Sequence, residues 1–289
     1  MKPILFNTTM VKKTLSGWKT ATRRVVKPQF PTYKDREPGQ FSKIEPYGTS
    51  SFIATHEKIP SMKTIINPPY LPGDILYVRE KWRVGAWSGP SFPMMAFDFA
   101  DGTCGEMVDF KNWDMFLRLV MQSREDARKA NCEYNGVDYV WGKGQAPTRW
   151  RPSIHMPKEA ARIFLRVTDV HAERLWESFG GGYGQAERFQ REGITLPEEC
   201  TTCIEAYVCP CCSDLDDSLP YDEQTGEDSE GGSECGMLDG VRNDFALLWD
   251  STIPRHPNKF KSYPYRWADN PWVWVIKFER CEKPKEENS

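Results

Sequence analysis

Gly17-Trp18-Lys19-Thr20-Ala21-Thr22-Arg23-Arg24 sets a glycine, a lysine, a hydroxyl and two arginines at short fixed spacing. Upstream, Met10, Val11, Thr14 and Leu15 recur at helical spacing with Lys12 and Lys13 opposite. This predicts a helix over 10–16, stopped by Gly17 in the left-handed conformation. Downstream, Thr20, Thr22 and Arg24 alternate with Ala21 and Arg23, the period of a strand, which Lys27-Pro28 would end. Eight lysines and arginines precede the first acidic residue, Asp35. A helix-turn-strand unit with that charge faces an anion, lies against acidic protein or presents a solvated basic surface.

Other segments punctuate the chain in the same way. Pro72-Gly73-Asp74 is a turn delivering the strand Ile75-Leu76-Tyr77-Val78. Residues 113–129 read as a helix with Met115, Phe116, Leu119 and Val120 on one side. Ala160 to Val170 and Trp272 to Phe278 read as strands, and Gln185 to Arg191 and Asp244 to Trp249 as helices. Pro28 to Pro69, rich in Pro, Ser, Tyr and Lys, reads largely as a loop. Gly180-Gly181-Gly182 lacks the Gly-Lys-Ser/Thr of a phosphate loop and is read as flexible.

Composition bounds the function. The 289 residues, 39% hydrophobic and 13% aromatic, suffice for a buried core, and a single domain with large insertions is expected. No run approaches the ~18 apolar residues of a membrane span and no signal-peptide pattern opens the chain, so a cytoplasmic location without a membrane partner is expected. The net charge of −3 hides a division. Residues 192–241 hold fourteen acids and no Lys, Arg or His, which leaves 27 acids against 38 bases elsewhere. A basic body suits a phosphodiester ligand, whereas the acidic stretch is a solvated loop, a shield over the basic site or a surface for a host protein.

Nine cysteines, five of them between Cys200 and Cys212, argue against a secreted disulfide framework. Cys200-x-x-Cys203 and Cys209-x-x-Cys212 form two CxxC corners, which suit a structural zinc with four thiolate ligands. Reduced loop thiols are the alternative.

The pattern Gly17-x-Lys19-x-x-Thr22-x-Arg24 is accompanied by Lys2-Pro3-Ile4-Leu5-Phe6-Asn7 and by Pro72-Gly73-Asp74-Ile75-Leu76-Tyr77-Val78-Arg79-Glu80. Further along come Trp150-Arg151-Pro152-Ser153-Ile154-His155-Met156-Pro157 and the closing Trp272-Val273-Trp274-Val275-Ile276. Together these resemble the ASCH domain of the PUA-like superfamily, in the long form carried by tailed bacteriophages and prophages. The resemblance implies an α+β fold, a PUA-like β-barrel with flanking helices and insertions at about 28–70, 84–148 and 195–243, acting in a bacterial host.

In the small relatives that hydrolyse N4-acetylcytidine, the motif lysine and threonine act with a glutamate at the end of a helix. Residue by residue this implies Lys19, Thr22 and Glu192, with Thr22 as nucleophile, Lys19 as base and Glu192 as acid or orienting group. Arg23 and Arg24 would lower the lysine pKa, and Arg24 would hold an anion. Trp18, Tyr77 and Trp82 are candidates to stack on a base. The alternative is a non-catalytic module for RNA or modified nucleic acid, in which Lys19 and Arg24 grip phosphates. His155 reads as a structural histidine.

Overall fold

The computed structural model describes residues 1–27, 41–57, 59–89, 91–177, 185–194, 236–253 and 265–284. Its main strands are β1 (Lys2–Leu5), β2 (Ala21–Val25), β3 (Phe41–Tyr47), β4 (Ser51–His56), β5 (Lys63–Ile66), β6 (Ile75–Arg79), β7 (Trp82–Trp87), β8 (Met94–Phe99), β9 (Val108–Asp109), β10 (Glu133–Tyr134), β11 (Tyr139–Val140), β12 (Phe164–Arg174) and β13 (Trp272–Cys281). The helices are α1 (Thr8–Leu15), α2 (Trp113–Lys129), α3 (Gln185–Arg191) and α4 (Gly236–Thr252). The fold is α+β and dominated by sheets. The largest sheet has the order β1-β6-β12-β13-β2 with open edges, so the expected barrel is not closed among the described residues.

Internal contacts divide the chain into two compact units. The first comprises Met1–Gly17, Gly73–Val167 and Phe278–Ser289, and the second Trp18–Pro72 and Thr168–Lys277. In the first unit β1 runs parallel to β6, pairing Ile4 with Val78, and β12 runs antiparallel to it, pairing Phe164 with Tyr77. Helix α1 starts where Asn7 accepts a hydrogen bond from the Met10 N–H, and buries Val11 and Thr14. Gly17 follows at φ +81°, the left-handed stop that the sequence predicts.

Helix α2 has the bounds expected of it. The Asn112 side chain caps its first turn through the Met115 N–H, and Phe116, Leu119, Val120, Ser123 and Ala127 form its buried stripe. That stripe joins a core of Trp82, Val84, Met95, Phe97, Phe99, Phe110 and Phe164. Fully burying each large apolar side chain stabilises by roughly 1.5–3 kcal/mol before chain entropy is subtracted.

In the second unit β13 pairs antiparallel with β2, setting Val275 against Arg23 and Trp274 against Arg24. A separate core of Leu175, Phe189, Val241, Phe245, Trp249, Val273 and Val275 packs α3 and α4 on this strand pair. The expectation of a loop over 28–69 is corrected: Phe41 to Ile66 form the antiparallel sheet β3-β4-β5. Phe52, Ala54 and His56 alternate inward along β4, and the Phe52 ring meets Trp274 at 4.8 Å. Pro46 is tolerated because β3 is an edge strand.

Candidate functional site

The site is built where the strand after Gly17 meets the end of α3. Helix α3 closes with Gly193 at φ +80°. The Gly193 N–H donates to Gln190 O and the Ile194 N–H to Phe189 O, the paired bonds of a Schellman cap. Glu192 is therefore the last half-helical residue, and two carbonyls beside it need partners. The Thr20 N–H donates to Arg191 O at 3.1 Å, and Lys19 Nζ donates to Glu192 O at 2.7 Å. A cation at a helix C-terminus also meets the negative end of the helix dipole.

The Lys19 ammonium also donates to Ala21 O at 2.7 Å and to Glu192 Oε2 at 2.9 Å. These three bonds engage all three of its N–H donors. The other carboxylate oxygen, Glu192 Oε1, accepts from Arg23 Nη1 at 2.6 Å. Arg23 in turn donates through Nε and Nη2 to Glu173 Oε1 at 3.2 and 3.0 Å. The result is a chain Lys19–Glu192–Arg23–Glu173. The Lys19 side chain is fully buried, and Glu192 and Arg23 retain only 5% and 7% of their exposure.

Electrostatics follow from that burial. Desolvation pulls the Lys19 pKa down; the Glu192 charge and hydrogen bond pull it partly back, and Arg24 and Arg23 add to the lowering. For Glu192 burial pushes upward, but the charges and hydrogen bonds of Lys19 and Arg23 outweigh it and hold the carboxyl below its ordinary value of 4.5. A depressed carboxylate contributes stability that is present above its unfolded pKa and is lost as pH falls through its folded pKa. Thermal melts taken stepwise from neutral to acidic pH should therefore show a loss of stability below 4.5 that Glu192→Gln diminishes; an unchanged acid profile would contradict it.

Thr22 is buried at 1% exposure, yet its side chain makes no hydrogen bond to Lys19 or Glu192 among the described residues. Strand alternation puts Thr22 and Arg24 on the face of β2 opposite Ala21 and Arg23. Arg24 is half-buried, and burial lowers its pKa against the opposing charges of Tyr70 and Glu192. The structure thus seats Arg23, more directly than Arg24, on the glutamate. Trp18 is 43% exposed.

Tyr77 and Trp82 are part of the buried core of the first unit, at 7% and 1% exposure, so both are packed against protein. Phe97 meets the Trp82 ring edge-on at 5.4 Å. His155 ends a short 3-10 turn and is exposed. Cys200, Cys203, Cys209 and Cys212 lie outside the described residues, as does most of the acidic stretch 192–241. Among the described residues no group of three or more His, Cys, Asp or Glu is placed to hold a metal, and no helix is long and apolar enough to cross a membrane.

Sequence reasoning missed a neighbouring pocket. It is open, has a volume of ≈ 220 Å³, and is lined by Ala21 and Arg23 of β2, His171 and Glu173 of β12, Arg188 and Arg191 of α3, and Val275 and Lys277 of β13. Asp169-Val170-His171-Ala172-Glu173 alternates polar and small residues with period two, the signal that would have marked His171 and Glu173 as one face. His171 Nδ1 lies 2.9 Å from Asp169 and Nε2 lies 3.8 Å from Glu173. Glu173 first and Asp169 after it raise the His171 pKa, against partial burial.

Compared with protein-family models, with curated proteins and with solved structures, the chain finds no match.

Proposed function

We propose that the chain is an ASCH-type, PUA-like protein of the long phage and prophage kind, and that it hydrolyses an amide on an acylated nucleobase or nucleoside such as N4-acetylcytidine. One observation carries this reading: Lys19 and Glu192, 173 residues apart in sequence, meet as a buried ion pair. The resemblance expects this lysine and this carboxylate to act together. In the proposed site Thr22 Oγ attacks the acyl carbon and its proton passes to neutral Lys19; Lys19, held by Glu192, hands that proton on to the leaving amine, directly or through the Glu192 carboxylate, and a water then releases the acyl group from Thr22 as the free acid. Lys19 must first lose a proton, and its lowered pKa eases that loss. Strongly perturbed ionisable groups concentrate at functional sites.

The second reading, a non-catalytic module for RNA or modified nucleic acid, is favoured by the engagement of all three Lys19 donors, which suits a strut at the end of α3. Zinc at Cys200, Cys203, Cys209 and Cys212 is proposed from spacing alone, and a host-protein partner for residues 192–241 from charge alone. Action in the bacterial cytoplasm follows from the phage resemblance.

The test is to incubate purified protein with a panel of N4-acylated cytidines and related acylated nucleosides and to follow loss of the acyl group by mass spectrometry. Release of free acid and base from at least one supports hydrolysis. A protein that leaves every one intact while binding RNA is the binding module.

A further inference from the structure

Arg79-Glu80-Lys81-Trp82-Arg83 carries the chain from β6 into β7, and its residues alternate in burial. Glu80 and Trp82 are buried at 2% and 1% exposure, whereas Lys81 is exposed and Arg79 and Arg83 are partly so. A basic side chain therefore stands at every second position on the outer side, about 6.6 Å apart along an extended chain. Glu80 is turned inward, where Arg162 Nη2 donates to it at 2.8 Å.

The segment from Trp150 to Ile154 lies beside this run. The Trp82 N–H donates to Arg151 O at 3.2 Å and the Arg151 N–H to Trp82 O at 2.7 Å, an antiparallel pairing. Arg151 thus faces inward, 5.5 Å from the centre of the Trp82 ring, and Trp150 faces outward with 40% of its surface exposed. Lys81 Nζ and Arg83 Cζ lie over the Trp150 ring, 5.9 and 4.7 Å from its centre. Arg79 Nη1 donates to Ile154 O at 3.1 Å, which brings the third cation to the same segment. Arg83 is anchored by Asp98 at 3.1 Å and by Gly144 O at 2.6 Å. Lys81 Nζ makes no ion pair or hydrogen bond among the described residues.

We propose that this face of the first unit, formed by Arg79, Lys81, Arg83 and Trp150, binds single-stranded nucleic acid, with a base on the Trp150 ring and successive phosphates along the row of basic side chains. An exposed indole edged by cations matches a base that stacks while its neighbouring phosphates are held. A duplex keeps its base faces stacked and closed, and an acidic peptide would use the cations and leave the ring idle. The face shares no residue with Lys19, Thr22 and Glu192, so it stands whether or not that site hydrolyses an amide. RNA and DNA offer it the same ring faces and the same backbone charge, and the experiment separates them.

Fluorescence anisotropy on full-length protein tests this, with a labelled single-stranded RNA of mixed sequence, DNA of the same sequence and the corresponding duplex as probes. At least one single strand should bind, more tightly than the duplex and less tightly as salt rises. Binding of RNA alone assigns RNA, binding of DNA alone assigns DNA, and binding of both assigns a site that does not read the sugar. Trp150→Ala should lose about tenfold with its salt dependence kept, and Trp150→Phe should recover most of that loss. Lys81→Gln should weaken all sequences alike and lower the salt slope by about 1.

Lys81 is exposed, so Lys81→Gln keeps the fold and decides the matter should Trp150→Ala not fold. No binding of either strand, a duplex bound as tightly as the single strands, or a folded Trp150→Ala or Lys81→Gln variant that binds as wild type does would overturn the proposal. So would a poly-glutamate peptide bound as tightly as the strand by wild type and Trp150→Ala alike, which would give the face to acidic protein. Turnover is read separately: hydrolysis of a free acylated nucleoside without strand binding removes only this inference, and strand binding without hydrolysis removes only the proposed reaction.

Discussion

Glu192→Ala is expected to cost about 3–5 kcal/mol, the range for breaking a buried ion pair by removing one partner. Against a total stability of about 5–15 kcal/mol this leaves the second unit near unfolding. The cause is not the loss of one attraction. Lys19 is fully buried, and without the carboxylate its ammonium loses its charged partner and keeps, among the bonds described, those to the carbonyls of Ala21 and of residue 192. Arg23 retains Glu173 and so suffers less. A companion pair tests the mechanism: Lys19→Met with Glu192→Leu should recover most of the loss, because an apolar pair of similar volume removes both charges together. Chemical denaturation of the single and double variants measures this. A Glu192→Ala protein as stable as wild type would mean that the pair is not formed in solution.

The second large effect is on turnover. Thr22→Val keeps the strand-forming shape and removes only the hydroxyl, which has no hydrogen bond among the described residues, so stability should change by no more than about 1 kcal/mol. Hydrolysis of the acylated nucleoside identified in the screen should nonetheless fall to background, whereas Thr22→Ser should retain activity. Lys19→Met should lower the rate by roughly 10²–10⁴-fold, the contribution of a positioned acid–base group. If Lys19 is the base, the wild-type rate rises with pH until the lysine is deprotonated, with an inflection below the ordinary lysine value of 10.5. An active Thr22→Val enzyme would remove threonine as nucleophile, and with it the reading carried from the small hydrolases.

Local features were legible where one residue's chemistry suffices. Gly17 reads as a helix stop because no other residue takes φ +81° without strain, and α2 reads from Asn112 through its apolar stripe. Placing Glu192 at a helix end rests on the same logic, since Gly193 follows it. The sheet β3-β4-β5 was hidden because its outward residues Ser51, Thr55 and Lys63, with Pro46 at the edge, give it the composition of a loop.

The sequence by itself determined the helix-turn-strand unit around Gly17 and the separation of a basic body from an acidic stretch, because propensity, left-handed glycine and charge are local properties. Only the tertiary structure decided which cation holds Glu192. The pairing of β13 with β2 puts Arg23 on the face that meets α3 and Arg24 on the other, a choice that spacing within the motif leaves open. It also decided that Tyr77 and Trp82 are spent in a core, and that His171, Glu173, Arg188, Arg191 and Lys277 share one pocket. Those residues come from separate elements, and their convergence is fixed by strand register and by where α3 packs, neither of which any single stretch of the chain encodes.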